Sequence, residues 1–173
     1  MATPIARQIR EIYSACAAPL YKVLEGLPEE QLRWKPAPDS RSIGQMARHL
    51  IRVDSWFLQR QGFSPVTGDP GEEAGAGEIL AAMQQVHGQV QEILEHSDED
   101  RLRRRYEGED AGEHETLAEV ILHMAQHYLY HLAQMIYLRR AQDREWSPPL
   151  KEWEAATHVL AGHLAPVKDL WGK

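Results

Sequence analysis

The chain has 173 residues, 43% of them hydrophobic and 26% charged, and a formal net charge of -7. That is enough chain for one domain with a sizeable core, and the balance is that of a globular protein. The acidic excess argues against general nucleic-acid binding, and no apolar stretch approaches the roughly 20 residues of a membrane span.

The local basic cluster Arg101, Arg103, Arg104 and Arg105 is followed by Glu107, Glu109 and Asp110, so it reads as a solvated face. The start MATPIARQIREIY lacks the apolar core of a signal peptide. A single cysteine, Cys16, excludes an internal disulfide and fits a reducing compartment. A cytoplasmic location is therefore expected. Cys16 lies in an alanine-rich helical stretch and reads as a small core residue.

The first helix is predicted from about Pro4 to Glu25, with Ile5, Ile9, Ile12, Cys16, Leu20, Val23 and Leu24 on one face. Thr3 suits its N-cap, Pro4 its first position and Gly26 its end. Pro19 falls inside it and is expected to kink it. Pro28, Glu29 and Glu30 suggest a turn or two of helix, after which Pro36 and Pro38 enforce an extended crossing. A second long helix begins near Ser40 or Ser42 and runs to about Gln61, with Ile43, Met46, Leu50, Val53 and Phe57 as its apolar stripe.

The stretch from Gly62 to Gly77 holds five glycines and two prolines and reads as a long, exposed, mobile loop. A third helix follows, from about Glu78 to His96, patterned by Ile79, Met83, Val86, Val90, Ile93 and Leu94. His87 and His96 are expected to face solvent. The next connection is polar, with a short extended piece around Leu102 to Tyr106. A fourth long helix runs from near Thr116 to about Ala141, and its core stripe is Leu117, Ile121, Met124, Tyr128, His131, Met135 and Leu138. The last segment reads as a helix that Pro166 bends or ends. Four long amphipathic helices make an all-α bundle, and the long linkers allow parallel neighbours. The expected organisation is one domain over 1–173, with the bundle at about 4–141 and a C-terminal helical extension at about 147–173.

The fourth helix carries a ladder of histidines, His123, His127 and His131, in HMAQHYLYHLAQMIYLRR. Residues four apart share a side of a helix one turn apart, so two imidazoles of the ladder can hold one transition metal. All three cannot, because residues eight apart are separated by roughly 12 Å along the axis. Spacing leaves open His123 with His127, His127 with His131, or a plain hydrogen-bonded pair. His49, in SIGQMARHLIRVDSWFL, is a further candidate if the two helices meet. Asp54 reads as a surface carboxylate, Tyr128 as a core aromatic, and Trp34 and Trp56 as structural. His158 and His163 are five apart and share no face.

The helix-two motif SIGQMARHLIRVDSWFL, its proline-containing lead LPEEQLRWKPAPDSR and the later HMAQHYLYHLAQMIYLRR together resemble the DinB/YfiT-like superfamily, over roughly residues 5 to 140. The resemblance implies a four-helix bundle of up-down-down-up topology, here with an additional C-terminal helix. It also implies a three-histidine metal site, with His49 on the second helix and the pair His127 and His131 on the fourth; His123 is then not a ligand. Where the family's motif commonly ends HRGQ, this chain has HLAQ, so any role of that arginine has no counterpart here.

Family members with assigned activity are thiol-dependent transferases or isomerases that use low-molecular-weight thiols. The implied function is a metal-dependent enzyme, a thiol-dependent S-transferase acting on small electrophiles. The alternatives are a non-catalytic metal-binding protein of stress response or interaction, and a metal-dependent hydrolase. Three imidazoles with an open position suit Zn, Ni or Fe, and a divalent ion makes a thiol or water more acidic. The expected partners are a small-molecule substrate or thiol and a second copy of the chain, with no nucleic acid and no membrane. The homodimer is expected because Trp153, Leu160, Leu164 and Trp171 give the last helix more apolar surface than one core needs.

Overall fold

The computed structural model describes residues 3–105 and 116–171, with side chains as far as His163. Among these residues there are seven helices: α1 (Pro4–Leu24), α2 (Glu29–Arg33), α3 (Ile43–Arg60), α4 (Ala76–His96), α5 (Glu99–Arg103), α6 (Leu117–Gln142) and α7 (Leu150–Trp171). The architecture is all-α. The long helices begin where the sequence offers caps. Thr3 Oγ1 accepts from the Ala6 amide, and Ser42 with Gln45 and Thr116 with Glu119 form reciprocal capping boxes. Helix α1 stops at Glu25, and Gly26 takes φ +60°, a left-handed value that glycine adopts without steric cost.

Facing side chains give the helix directions. Arg10 meets Glu95, Ser14 meets Gln91 and Tyr21 meets His87, so α1 and α4 run antiparallel. Tyr13 meets Tyr128 and Val23 meets Arg139, so α1 and α6 run parallel. Phe57 meets His123 and His49 meets His131, so α3 and α6 run antiparallel. It follows that α3 and α4, which also touch, share a direction. The order is up-down-down-up, with α1 and α3 across the diagonal. Two consecutive helices can be parallel because the 62–75 connection is long enough to return along the bundle.

Apolar faces of all four long helices fill the centre, among them Leu20, Leu50, Ile79, Val90 and Leu132. In α3 the buried arc is wider than a single stripe. Ala47, Ile51, Asp54 and Leu58 are buried, whereas Val53 and Phe57 are half-buried. The cause is that α3 has helices on three sides: α2, α4 and α6. Gly44 lets α2 approach, since a Cβ there would stand 3.1 Å from the Leu32 side chain and 3.2 Å from its carbonyl oxygen. Arg139 of α6 is buried and donates to the carbonyls of Val23 (2.5 Å) and Glu25 (3.1 Å) at the end of α1, so the cation closes a neighbouring helix's C-terminus. Helix α7 lies outside the bundle along α1, where His163 comes within 3.6 Å of Glu11.

Several expectations need correction. Pro166 does not end α7, which continues to Trp171, while Pro19 lies inside α1 as expected. Of the extended piece expected around Leu102 to Tyr106, Leu102 and Arg103 are helical, because Asp98 caps Glu99–Arg103 and Leu102 is buried, whereas Arg104 is extended and Arg105 forms an isolated antiparallel bridge with Thr116; Tyr106 lies outside the described residues. The glycine-rich loop is fastened rather than loose. Arg33 donates to the carbonyls of Glu72 and Glu73, Arg52 pairs with Asp69 at 2.6 Å, and the Gln89 side chain bonds both Ser64 and Val66. No helix among the described residues is long and apolar enough to cross a membrane.

Candidate metal centre

Helix α3 enters from its Ser42 cap and presents His49 two turns later, on the side facing α6. Antiparallel to it, α6 presents His127 and His131 one turn apart. The three rings converge: the His49 centroid lies 5.1 Å from that of His127 and 5.2 Å from that of His131, and the last two are 4.6 Å apart. One nitrogen from each lies within 4.8 Å of the others, an arrangement that could hold a metal ion. The Nε2 atoms of His127 and His131 are 3.0 Å apart. Two ligands on one ion, each about 2 Å from it, stand roughly 3 Å from each other.

The electrostatics suit neutral ligands. Burial, with help from Arg41, His131 and Arg52, lowers His49 to about 4. Burial and the neighbouring histidines lower His127 to about 4 as well. His131 is lowered too, by burial, with Gln134 opposing. These shifts favour the neutral imidazole in all three, which keeps one ring proton and leaves the other nitrogen a lone pair. Gln134 Oε1 accepts from His131 Nδ1 at 2.9 Å, which places the proton there and leaves Nε2 free to coordinate. His127 Nδ1 is buried without a hydrogen-bond partner. His123 stands outside the cluster. It is exposed, its ring is 6.2 Å from that of His127, and it packs against Phe57.

A pocket of about 810 Å³ opens over the triad. Met46, Leu138, Tyr130 and Tyr137 give it apolar walls, while Ser40 and Arg41 come from the linker just before α3. Trp34 and Trp56 do not line it. Trp56 instead carries Arg60 over its ring face.

Beneath this surface lies a polar network that sequence reasoning missed. Asp54 and His87 are each 1% exposed, not the surface groups expected. Tyr128 donates to Asp54, Tyr13 and Tyr128 share a 2.6 Å hydroxyl contact, and Tyr21 bonds His87 Nδ1 at 2.5 Å. Burial raises Asp54 well above the carboxylate range and lowers His87 to about 3. Both shifts favour the neutral forms, and Asp54 Oδ2 stands 3.8 Å from His87 Nε2. Cys16 is a core residue as expected, its thiol raised to about 11 by burial. Arg41 was also missed, since nothing in its spacing marks it.

The family model described as the DinB superfamily matches residues 13–135. The chain belongs to the DinB superfamily. That match runs from within α1 to within α6 and includes all three converging histidines, so in this DinB protein the cluster lies within the family's own span. Helix α7 falls beyond it. No curated protein matches the chain.

Proposed function

We propose that His49, His127 and His131 bind one divalent transition metal, Zn, Ni or Fe, and that the protein is a metal-dependent enzyme transferring a small thiol to small electrophiles. The observation that carries this reading is the pocket. Three neutral imidazoles converge at the floor of an 810 Å³ opening rather than inside sealed packing. A non-catalytic metal protein needs no such opening.

A bound divalent ion supplies Lewis acidity, lowering the pKa of a thiol or water that enters its open positions. The chain does the rest. His127 and His131 are held one turn apart by α6, and Gln134 fixes the tautomer of His131. Met46, Leu138 and the tyrosines give the opening its apolar walls. In the transfer, sulfur forms its bond to carbon as the leaving group departs with its electron pair, and the thiol proton goes to solvent. A hydrolase would use the same site with water as nucleophile; the apolar walls favour the thiol reading.

The test is metal titration of the protein and four alanine variants, followed by turnover of an aryl halide with a small thiol. His49→Ala, His127→Ala and His131→Ala should each lose binding and turnover, and His123→Ala should keep one metal per chain. Loss in His123→Ala with retention in His131→Ala overturns the ligand set. Metal binding without turnover of any electrophile or ester leaves the non-catalytic reading in its place.

The reading extends to a cytoplasmic homodimer acting as one unit with its C-terminal helix. Leu150 and Trp153 of α7 are exposed, which supports an interface there; the side chains of Leu164 and Trp171 lie outside the described residues. Sedimentation at tens of micromolar should give a dimer that Trp153→Glu dissociates, and a monomer in the parent protein removes the idea.

A further inference from the structure

We propose that the histidine pocket selects ligands carrying a carboxylate, which Arg41 pairs with while another donor atom of the same molecule takes an open metal position. This rests on the metal reading above and goes further by naming the substrate class. The argument is one of charge. Three neutral imidazoles leave the two positive charges of a divalent ion uncompensated. Among the described residues the pocket wall supplies no carboxylate, and the one charged side chain there is another cation, Arg41. In a chain with 26 acidic residues against 19 Lys and Arg, that is a local reversal of sign.

Arg41 is also uncommitted. Arg10, Arg33, Arg52 and Arg103 each pair with a carboxylate. Arg41 has no hydrogen bond or ion pair among the described residues, and it is exposed at the pocket wall. A guanidinium pairs with carboxylates through two parallel hydrogen bonds, so it orients as well as attracts. Tyr130 and Tyr137, two turns apart on α6, are 63% and 73% exposed. They offer ring faces to the body of a ligand anchored at both ends.

The probes are mercaptopropionate, which carries a carboxylate, and mercaptoethanol, which does not. Each is titrated into the Co(II)-loaded protein, and the visible spectrum of the ion reports sulfur entering its coordination. Mercaptopropionate should bind about ten-fold more tightly than mercaptoethanol. Arg41→Gln should abolish most of that preference and keep one Co(II) per chain, and Arg41→Lys should restore part of it. A preference of equal size in Arg41→Gln, or none in the parent protein, overturns the carboxylate proposal and leaves the metal reading standing. Failure of the parent protein to take up Co(II) overturns both.

Discussion

Gln134 illustrates how much rests on single side chains at this site. Its carbonyl oxygen is the partner that fixes the proton on His131 Nδ1. Outer contacts of this kind raise ligand basicity and hold ring orientation. Gln134→Leu should therefore weaken metal affinity about 10–100-fold without unfolding the protein. Competition with a chelator of known affinity measures it, and an unchanged constant would mean that His131 needs no partner. The same local logic explains why the ladder could be read from the chain, whereas His87 could not. An i,i+4 pair is visible as spacing, but burial of a lone histidine depends on Tyr21 and Tyr13 arriving from another helix.

Helices meet where small residues allow it. Gly44 sits under Leu32, with carbonyl as well as side-chain atoms in the way of any Cβ. Gly44→Val should destabilise the protein by about 1–3 kcal/mol, because overpacking outweighs the gain in helix propensity. Gly88, inside α4, has nothing within 4 Å of the position a Cβ would take, so Gly88→Ala should stabilise by roughly 0.5–1 kcal/mol. Urea unfolding of both variants checks the contrast. Similar effects at the two positions would show that α2 does not hold its close approach in solution. Element boundaries followed from local chemistry: the caps at Thr3, Ser42 and Thr116 all function as their residue types suggest. Pro19 and Pro166 both lie inside helices, where the missing amide donor costs an intrahelical bond without ending the helix.

At the scale of the whole molecule, the buried Asp54–His87 pair ties stability to pH. His87 is held near 3, below its unfolded value of about 6.5, so its contribution is full above pH 6.5 and is lost as pH falls toward 3. Asp54 is raised, so its contribution has the opposite sign: it is present at low pH and lost as pH rises through the folded value. The two oppose each other wherever their windows overlap, which begins near pH 4, the unfolded value of an aspartate. Asp54→Asn should steepen the loss of stability on acidification, by up to about 1.4 kcal/mol per pH unit, and His87→Gln should flatten or reverse it. Denaturant midpoints taken across that range measure both. Parallel curves for the three proteins would mean that neither group is held neutral.

Local sequence was enough to place the four long helices, their caps, the loops long enough to permit parallel neighbours, and the one-turn spacing of His127 and His131. These are properties of residues a few positions apart, governed by backbone geometry and periodicity. Spacing along the chain could not join His49 to that pair; the family resemblance implied it, and the tertiary structure lays α3 antiparallel on α6, which carries His49 there and leaves His123 beside Phe57. It also decided that Asp54 and His87 meet in the core and that Arg41 overlooks the pocket. The physical reason is common to all three. Whether a polar side chain faces water or another helix depends on what packs against it, and periodicity along one helix carries no record of its neighbours.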